Sequence, residues 1–523
     1  MVSRHVYHAT MVSNCVGRMP VKVTVFDGAG CIGGNKIHLG FDDRGVLFDF
    51  GTNFNQMNLY YDEFLQPRAS RGIHDHLDMG LIPKVNWYRE DLVPDDVDLS
   101  GAPDLPVDAL LISHAHIDHF GCAGFLDLDI PFVSTPMTAA LIKAMNDCGR
   151  ADPGAECAYC TVKGPGTDRR TVVAGKGSYV ARDFFLTGGH TNGLGDFWAR
   201  SKGKTKGLEP GELGAMASID LEIKAMEVDH SIYGATAYAV ETPAGWIVYS
   251  GDIRLHGVCG DKTRKFMADA KALSPAALIV EGTRTSREDA HYQLSEADVA
   301  SRCRAAAEDV DGLMIADFSA RNFERLDAFM EIAKGTGRSL VVTIKDAYFL
   351  DAMRLVDGVD RLSKVLVYGE LKSRGSKVKD SVEEQIGRLV DPMEISMHPW
   401  EHILCFSSYD MGNLLDIRPK GGRYIYSSSE AHSEDQVFDF VRLHRWISRF
   451  GMEVRGFQEK KGNITFEPGY HASGHASADD LEKVVEAIDP GLVIPVHTFR
   501  PEFFQELDRK VALPVPGVPI DIL

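Results

Sequence analysis

Apolar residues recur along the chain in short runs, and several of those runs end directly in a histidine or a carboxylate. Runs at 21–26, 36–41, 45–48 and 109–112 read as strands, the second and third joined around the turn Asp42-Asp43-Arg44-Gly45. Further strands are expected at 225–228, at 236–241 and 246–249 around Pro243-Ala244-Gly245, and at 276–282. Between 134 and 224 the pattern predicts one helix, 137–145, and then a long irregular region. From 295 to 455 helical periodicity at 295–307, 321–334, 345–355 and 435–450 alternates with apolar runs at 313–316, 339–343, 365–368, 403–406 and 423–426. That alternation predicts βαβ units on a mostly parallel sheet, an α/β insert in an otherwise different domain. A helix at 478–488 and a strand at 492–496 follow.

Length and composition narrow the class. A chain of 523 residues is expected to form two or three domains with ample core. No apolar stretch approaches the length of a membrane span, and the N-terminus lacks a charged-then-apolar secretory pattern, so a cytoplasmic protein without a membrane partner is expected. Nine cysteines at irregular spacing argue against a disulfide framework. The net charge of −19 speaks against a generic nucleic-acid binder but not against a nuclease. Bound divalent cations and a local basic groove outweigh a distant acidic surface, because salt confines its field to about 10 Å.

The densest chemistry is Ser113-His114-Ala115-His116-Ile117-Asp118-His119-Phe120-Gly121, placed where the 109–112 strand ends. Strand alternation would point His114, His116 and Asp118 the same way, with His119 brought in by a turn. Imidazole and carboxylate at this density suit two divalent first-row metals, zinc by default. The same logic recurs at His230 after the 225–228 strand, at Asp252 after 246–249, and at His497 after 492–496. Asp49 closes the third strand and reads either as a turn cap or as a residue that orients metal-ligand loops.

Other motifs carry less. Gly28-Ala29-Gly30-Cys31-Ile32-Gly33 matches the dinucleotide fingerprint, but two strands rather than a helix follow it, so its glycines are expected to permit tight turns near the metal site. Cys157-Ala158-Tyr159-Cys160, with Cys148 and His190, would suit a structural zinc; reduced, inert thiols are the plainer expectation. The lysine-rich runs 202–207 and 372–379 read as solvated loops or as contacts for a polyanion.

The His-x-His-x-Asp-His cluster, the order of motifs over 20–255, and the late pair Ser473-Gly474-His475-Ala476 and Pro495-Val496-His497 resemble the β-CASP nucleases of the metallo-β-lactamase superfamily. With Ser427-Ser428-Ser429-Glu430 and Arg445-Trp446-Ile447, the resemblance is strongest to the RNase J branch, in its shorter archaeal form. It implies an αββα metallo-β-lactamase core (1–290 and 456–523) interrupted by an α/β β-CASP domain (291–455). It further implies two zinc ions, or manganese in their place: His114, His116 and His230 on one, Asp118, His119 and His497 on the other, and Asp252 between them. Glu281 would be motif A, His475 motif B and the proton donor, and His497 motif C. His471, Ser473 and Gly474 would lie at the substrate phosphate, with Asp49 in support.

The activity implied is a metal-dependent ribonuclease on single-stranded RNA, 5′→3′ exonucleolytic with endonuclease activity alongside. Motif C is histidine in relatives that process RNA and valine in the DNA-repair branch, so RNA is expected over DNA. The alternatives are a DNA nuclease of the same fold, a small-molecule metallo-hydrolase and a silent RNA-binding scaffold; a homodimer is also left open. The large insert disfavours a small substrate, and the full ligand set disfavours a scaffold. Phe499 departs from the branch, which commonly has an acidic residue two places after the motif C histidine, and residues 1–19 and 146–224 have no counterpart in the pattern.

Overall fold

Strands form where the apolar runs lie, and their order sets up the site. The structure, a computed structural model, describes residues 20–62, 64–149, 152–189, 193–202, 206–285, 294–319, 321–371, 389–428 and 434–523. Residues 1–19, His190, the 203–205 part of the first lysine-rich run, the basic run 372–379 and the pair Ser429-Glu430 lie outside the described residues.

One sheet has eight strands in the order Leu213–Ala215, Phe184–Leu186, Phe132–Ser134, Ala109–Leu111, Arg44–Phe50, Lys36–Phe41, Val21–Asp27 and Pro519–Ile522. A second has five, Ile223–Glu227, Thr236–Thr242, Gly245–Tyr249, Ala277–Glu281 and Val493–Val496. Val23, Ile37, Leu39 and Phe48 of the first share one buried core with Tyr238, Val240, Ile247, Ile279 and Ile494 of the second. Helices Gly260–Leu273 and Ala478–Ile488 cover the outer face of the five-stranded sheet, and Pro136–Cys148 contributes to the core on the outside of the larger one. The architecture is αββα.

Within 313–455 a third sheet runs Leu366–Val367, Ser339–Val342, His402–Cys405, Leu313–Asp317, Gly422–Tyr426 and Glu453–Arg455, with every neighbouring pair parallel. Helices Glu296–Ala307, Phe323–Gly335 and Ile344–Asp357 contribute Val299, Ile332 and Phe349 to one core, and Glu434–Arg449 contributes Phe440 and Ile447 to another. Parallel strands need such crossovers, so the alternation of runs and periodicity carries the topology.

The described residues of 146–224, expected as an irregular region, instead include five strands. Tyr159–Pro165, Val172–Ala181 and Leu208–Glu209 make a three-stranded sheet, while Phe184–Leu186 and Leu213–Ala215 extend the large one. In Val172–Ala181 only the two end residues are buried, so no face imposes the apolar alternation by which a strand is read. Among the described residues no group able to hold an ion includes Cys148, Cys157 or Cys160. The Cys157 thiol is directed to the carbonyls of Phe120 and Gly154, both at 3.6 Å, and burial pushes it up to about 12.

One buried acid in the insert gives a stability prediction. Asp317 ends a central strand and accepts a hydrogen bond from Tyr424 Oη. Burial outweighs that bond and raises its carboxyl to about 7. A carboxyl whose folded pKa is raised loses stability as pH climbs from its unfolded value to its folded one, and the full penalty remains above that. Asp317→Asn should therefore stabilise the protein by about 1–2 kcal/mol at pH 8 and leave it unchanged near pH 4. Denaturant melts at the two pH values check this, and equal shifts at both would refute it.

Candidate metal centre

Topology brings the donors to one edge. In the five-stranded sheet Ile223–Glu227 and Gly245–Tyr249 both run antiparallel to Thr236–Thr242, and Gly245–Tyr249, Ala277–Glu281 and Val493–Val496 are mutually parallel. Four strands therefore end at the same edge, where the chain delivers His230, Asp252, Glu281 and His497. In the facing sheet Arg44–Phe50 and Ala109–Leu111 are parallel, and their ends deliver Asp49 and the 113–119 segment. That segment is not extended throughout. Ile117–Phe120 is a helical turn, so Asp118 and His119 reach the centre by a turn of backbone and not by strand alternation.

The imidazoles converge on one carboxylate. Asp252 Oδ2 lies 3.1 Å from His119 Nε2, 3.7 Å from His114 Nε2, 3.8 Å from His230 Nε2 and 3.9 Å from His497 Nε2. On one side His116 Nδ1 is 3.1 Å from both His114 Nε2 and His230 Nε2. On the other, Asp118 Oδ2 is 3.4 Å from His497 Nε2 and 3.7 Å from His119 Nε2. His114, His116 and His230 form one group close enough to share an ion, and Asp118, His119 and His497 form another. The nitrogens facing inward cannot all be hydrogen-bond donors to one another. Buried His119 Nε2 and Asp252 Oδ1 also make no hydrogen bond, as expected of atoms whose partner is a cation. This donor set fits divalent metal ions.

Partners on the outer nitrogens fix the ring orientations. Asp49, itself at φ +55°, accepts from His119 Nδ1 at 2.7 Å, from Ser113 N and Oγ at 2.7 Å each, and from Tyr249 Oη at 2.6 Å. His230 Nδ1 donates to the Gly474 carbonyl at 2.6 Å, and His497 Nδ1 meets Thr283 Oγ1 at 2.9 Å. A side chain at Gly474 would meet His230 and Ser231 at 2.9 Å, so only glycine fits there. The glycine-rich turn after the first strand lies on the same site: the Gly28 carbonyl accepts from His497 N at 2.7 Å, and a Cβ on Gly33 would stand 3.0 Å from Asp118.

Electrostatics divide the centre: against burial, Asp252, Asp118 and Asp49 raise His119 well above its usual range, whereas three other rings are held low. Burial, reinforced by neighbouring imidazoles, holds His114 and His116 well below the usual range, and burial takes His230 to about 3. These rings are neutral with lone pairs available. Against burial, His119 and His497 keep Asp118 ionised, well below the usual carboxylate range. His475 behaves oppositely. Burial disfavours its charge, but Glu281, whose oxygens lie 3.0 and 3.2 Å from Nδ1, and Asp252 raise it to about 9. Ser473 Oγ accepts from His475 N at 3.1 Å, whereas half-buried His471 belongs to none of the metal-capable groups among the described residues.

Sequence reasoning misses the clasp behind these loops. Arg254, two residues after Asp252 and fully buried, contacts Asp229 at 3.3 Å, Glu296 at 3.2 Å and Glu324 at 2.7 Å, and donates to the His230 carbonyl at 3.3 Å. Arg325 holds the second oxygen of Glu296 at 2.8 Å and donates to the carbonyls of Ser427 and Tyr470. Asp229, Cys259 and Glu324 lie close enough to hold an ion, but the Arg254 guanidinium already bonds both carboxylates. Nothing in sequence spacing marks a lone arginine as buried. Its nearness to Asp252 is the one cue the sequence offers.

The fold and centre define a class. The signature of the metallo-β-lactamase superfamily matches residues 76–142, which span the His114–His119 cluster. Along most of its length the chain is ribonuclease J-like. It is 22% identical to ribonuclease J of Pyrococcus abyssi over 91% of this chain and 89% of that one, and 22% identical to ribonuclease J of Mycoplasma pneumoniae over 93% and 69%. It is 19% identical to ribonuclease J of Methanocaldococcus jannaschii over 92% and 91%. A crystal structure of a protein of unknown function from Enterococcus faecalis superposes with a TM-score of 0.65 at 21% identity, covering 96% of this chain and 100% of that one.

Proposed function

We propose that this protein is a metal-dependent ribonuclease that hydrolyses phosphodiesters of single-stranded RNA from the 5′ end, with internal cleavage alongside. The observation that carries the reading is Asp252 Oδ2 set within 3.9 Å of five imidazole nitrogens, those of His114, His119, His230, His497 and His475. His114, His116 and His230 would hold one ion, Asp118, His119 and His497 a second, with Asp252 shared. Zinc suits these donors, and manganese is the alternative. Such ions supply water activated at neutral pH and neutralisation of phosphoryl charge.

The remaining steps belong to the chain. His475, kept protonated by Glu281, stands beside Asp252 and donates a proton to the leaving oxygen. Ser473 and the Gly474 backbone offer donors to a phosphate. Residues 291–455 act as the unit that holds RNA against the core of 1–290 and 456–523. The similarity to ribonucleases J over nearly the whole chain supports RNA as substrate, and the histidine at 497 supports RNA over DNA. Some DNA cleavage and a cytoplasmic location are part of the same reading, which leaves a homodimer open. Among the described residues no helix is long and apolar enough to cross a membrane.

The test is competition between matched 5′-monophosphorylated RNA and DNA strands on the metal-loaded protein. A higher kcat/KM for RNA is expected. Equal or faster DNA hydrolysis would overturn the RNA assignment while leaving the metal chemistry intact.

A further inference from the structure

The loop that carries Ser473, Gly474 and His475 is held at several points. His475 Nδ1 meets Glu281 at 3.0 Å, His230 Nδ1 donates to the Gly474 carbonyl at 2.6 Å, and Ala476 N donates to the Ile253 carbonyl at 2.6 Å. A further contact comes from a histidine outside the metal-capable groups. His256 Nε2 lies 2.9 Å from the Ser473 carbonyl. A carbonyl only accepts, so Nε2 carries the proton and donates it. The other ring nitrogen, Nδ1, is buried and has no hydrogen-bond partner among the described residues. A proton there would leave a buried N–H without an acceptor, so the ring is neutral.

The chain on both sides of His256 is pinned. Arg254, two residues before it, is buried among Asp229, Glu296 and Glu324, and the Leu255 carbonyl accepts from Arg264 at 3.2 Å. Gly257 packs so closely on the same clasp that a Cβ there would stand 2.3 Å from Asp229 Oδ2 and 2.4 Å from Arg254 Nε. The imidazole is thereby presented to the Ser473 carbonyl, and that bond sets the peptide that follows. The described residues contain no cis peptide bond, and across a trans peptide the C=O and N–H point in opposite directions. A Ser473 carbonyl turned toward His256 therefore turns the Gly474 N–H away from it. That N–H has no acceptor among the described residues, and Gly474 is only half-buried. Ser473 Oγ accepts from His475 N at 3.1 Å, which leaves its own hydrogen free to donate. Two unspent donors thus stand next to His475, on a peptide whose direction His256 holds.

We infer that His256 is a positioning residue for the substrate phosphate: by holding the Ser473 carbonyl it aims the Gly474 N–H, together with the Ser473 hydroxyl, at a non-bridging oxygen. The inference rests on the phosphodiesterase reading above, which puts Ser473 and the Gly474 backbone at the phosphate, and adds the residue outside that loop which fixes their direction. Backbone donors aimed in advance at a phosphoryl oxygen stabilise it without reorganisation at the moment of reaction. A substitution at Gly474 itself would collide with His230, so His256 is the position from which the donor can be tested.

The experiment compares wild type with H256Q, H256N and H256F, each loaded with zinc and checked for metal content and melting temperature. Glutamine places an amide nitrogen about where Nε2 stands, asparagine places one about where Nδ1 stands, and phenylalanine keeps a ring without a donor. Affinity for inorganic phosphate is measured by calorimetry, and single-turnover cleavage is measured on a 5′-labelled oligoribonucleotide. With metal content unchanged, H256N and H256F are expected to weaken phosphate binding about fivefold, the scale of one neutral hydrogen bond. Their cleavage should fall about 30-fold, less than for outright loss of such a donor because the N–H is misaimed and not removed. H256Q should recover most of both. A role in packing alone would not separate glutamine from asparagine, so equal behaviour of H256Q and H256N would overturn the inference. H256N within about threefold of wild type in both measurements would overturn it as well. Losses that track loss of bound metal would also overturn it, making His256 a support for the His230 loop. If H256F does not fold, the contrast between glutamine and asparagine decides alone. If wild type cleaves no RNA yet phosphate affinity still falls in H256N and returns in H256Q, the ribonuclease reading fails and the His256 assignment stands.

Discussion

Asp252→Asn is expected to abolish binding of the two metal ions proposed above and to lower RNA cleavage by about four orders of magnitude, the scale on which removal of one member of a concerted catalytic unit acts. Its Oδ2 lies within 3.9 Å of ring nitrogens of His114, His119, His230, His475 and His497. The substitution keeps shape and removes charge, so the fold should survive. Elemental analysis of the purified variant and a thermal melt separate the two effects. Asp118→Ala should be milder in metal loss, because Asp118 belongs to one group only. Asp49→Asn should be milder still, about 10–100-fold in metal affinity, since Asp49 acts through His119 and Ser113. The ordering Asp252, Asp118, Asp49 is the content of the prediction. A variant at Asp252 that retains both ions at wild-type affinity would refute the shared-ligand geometry.

Part of that ordering is legible in the amino-acid sequence. A donor placed directly after an apolar run is informative because a buried strand must end at a sheet edge, and strands that end together deliver their donors together. His114, His230, Asp252 and His497 are readable for this reason. What spacing does not contain is the local backbone. Strand alternation would aim Asp118, whereas the helical turn Ile117–Phe120 does so. Asp49 and His497 both sit at φ +55°, a conformation that side chains rarely adopt and that no pattern of apolar positions reports. The sheet built on Val172–Ala181 escapes notice for the opposite reason: a strand buried only at its two ends has no pattern to show. Pro519–Ile522 escapes it too. It begins with a proline and pairs only at the edge of the large sheet, where the missing N–H is tolerated.

Buried charge is the remaining gap, and it carries the largest stability effect. Arg254→Met is expected to destabilise the protein by about 3–5 kcal/mol, the range for removing one partner from a buried ionic network. The arginine is fully buried and is bonded by Asp229, Glu296 and Glu324 at once. Arg325 remains to balance Glu296, but no other cation among the described residues pairs with Asp229 or Glu324, so methionine would leave two carboxylates without a cation. Burial already raises Glu324 to about 7 with Arg254 present, so it would take up a proton once the guanidinium is gone. This gives the network a signature beyond simple instability. Glu324→Gln alone should cost less than about 1 kcal/mol at pH 7, and in the Arg254→Met background it should restore about 1–2 kcal/mol. The same guanidinium holds the His230 carbonyl and leaves the chain two residues after Asp252, so Arg254→Met should also weaken metal binding about 10–100-fold. Urea melts of the four proteins close the cycle, and metal titrations of the two single variants test the link to the centre. Additive effects of the two substitutions would show that Arg254 and Glu324 act independently, and the clasp between the metal loops and the inserted sheet would then be no more than proximity.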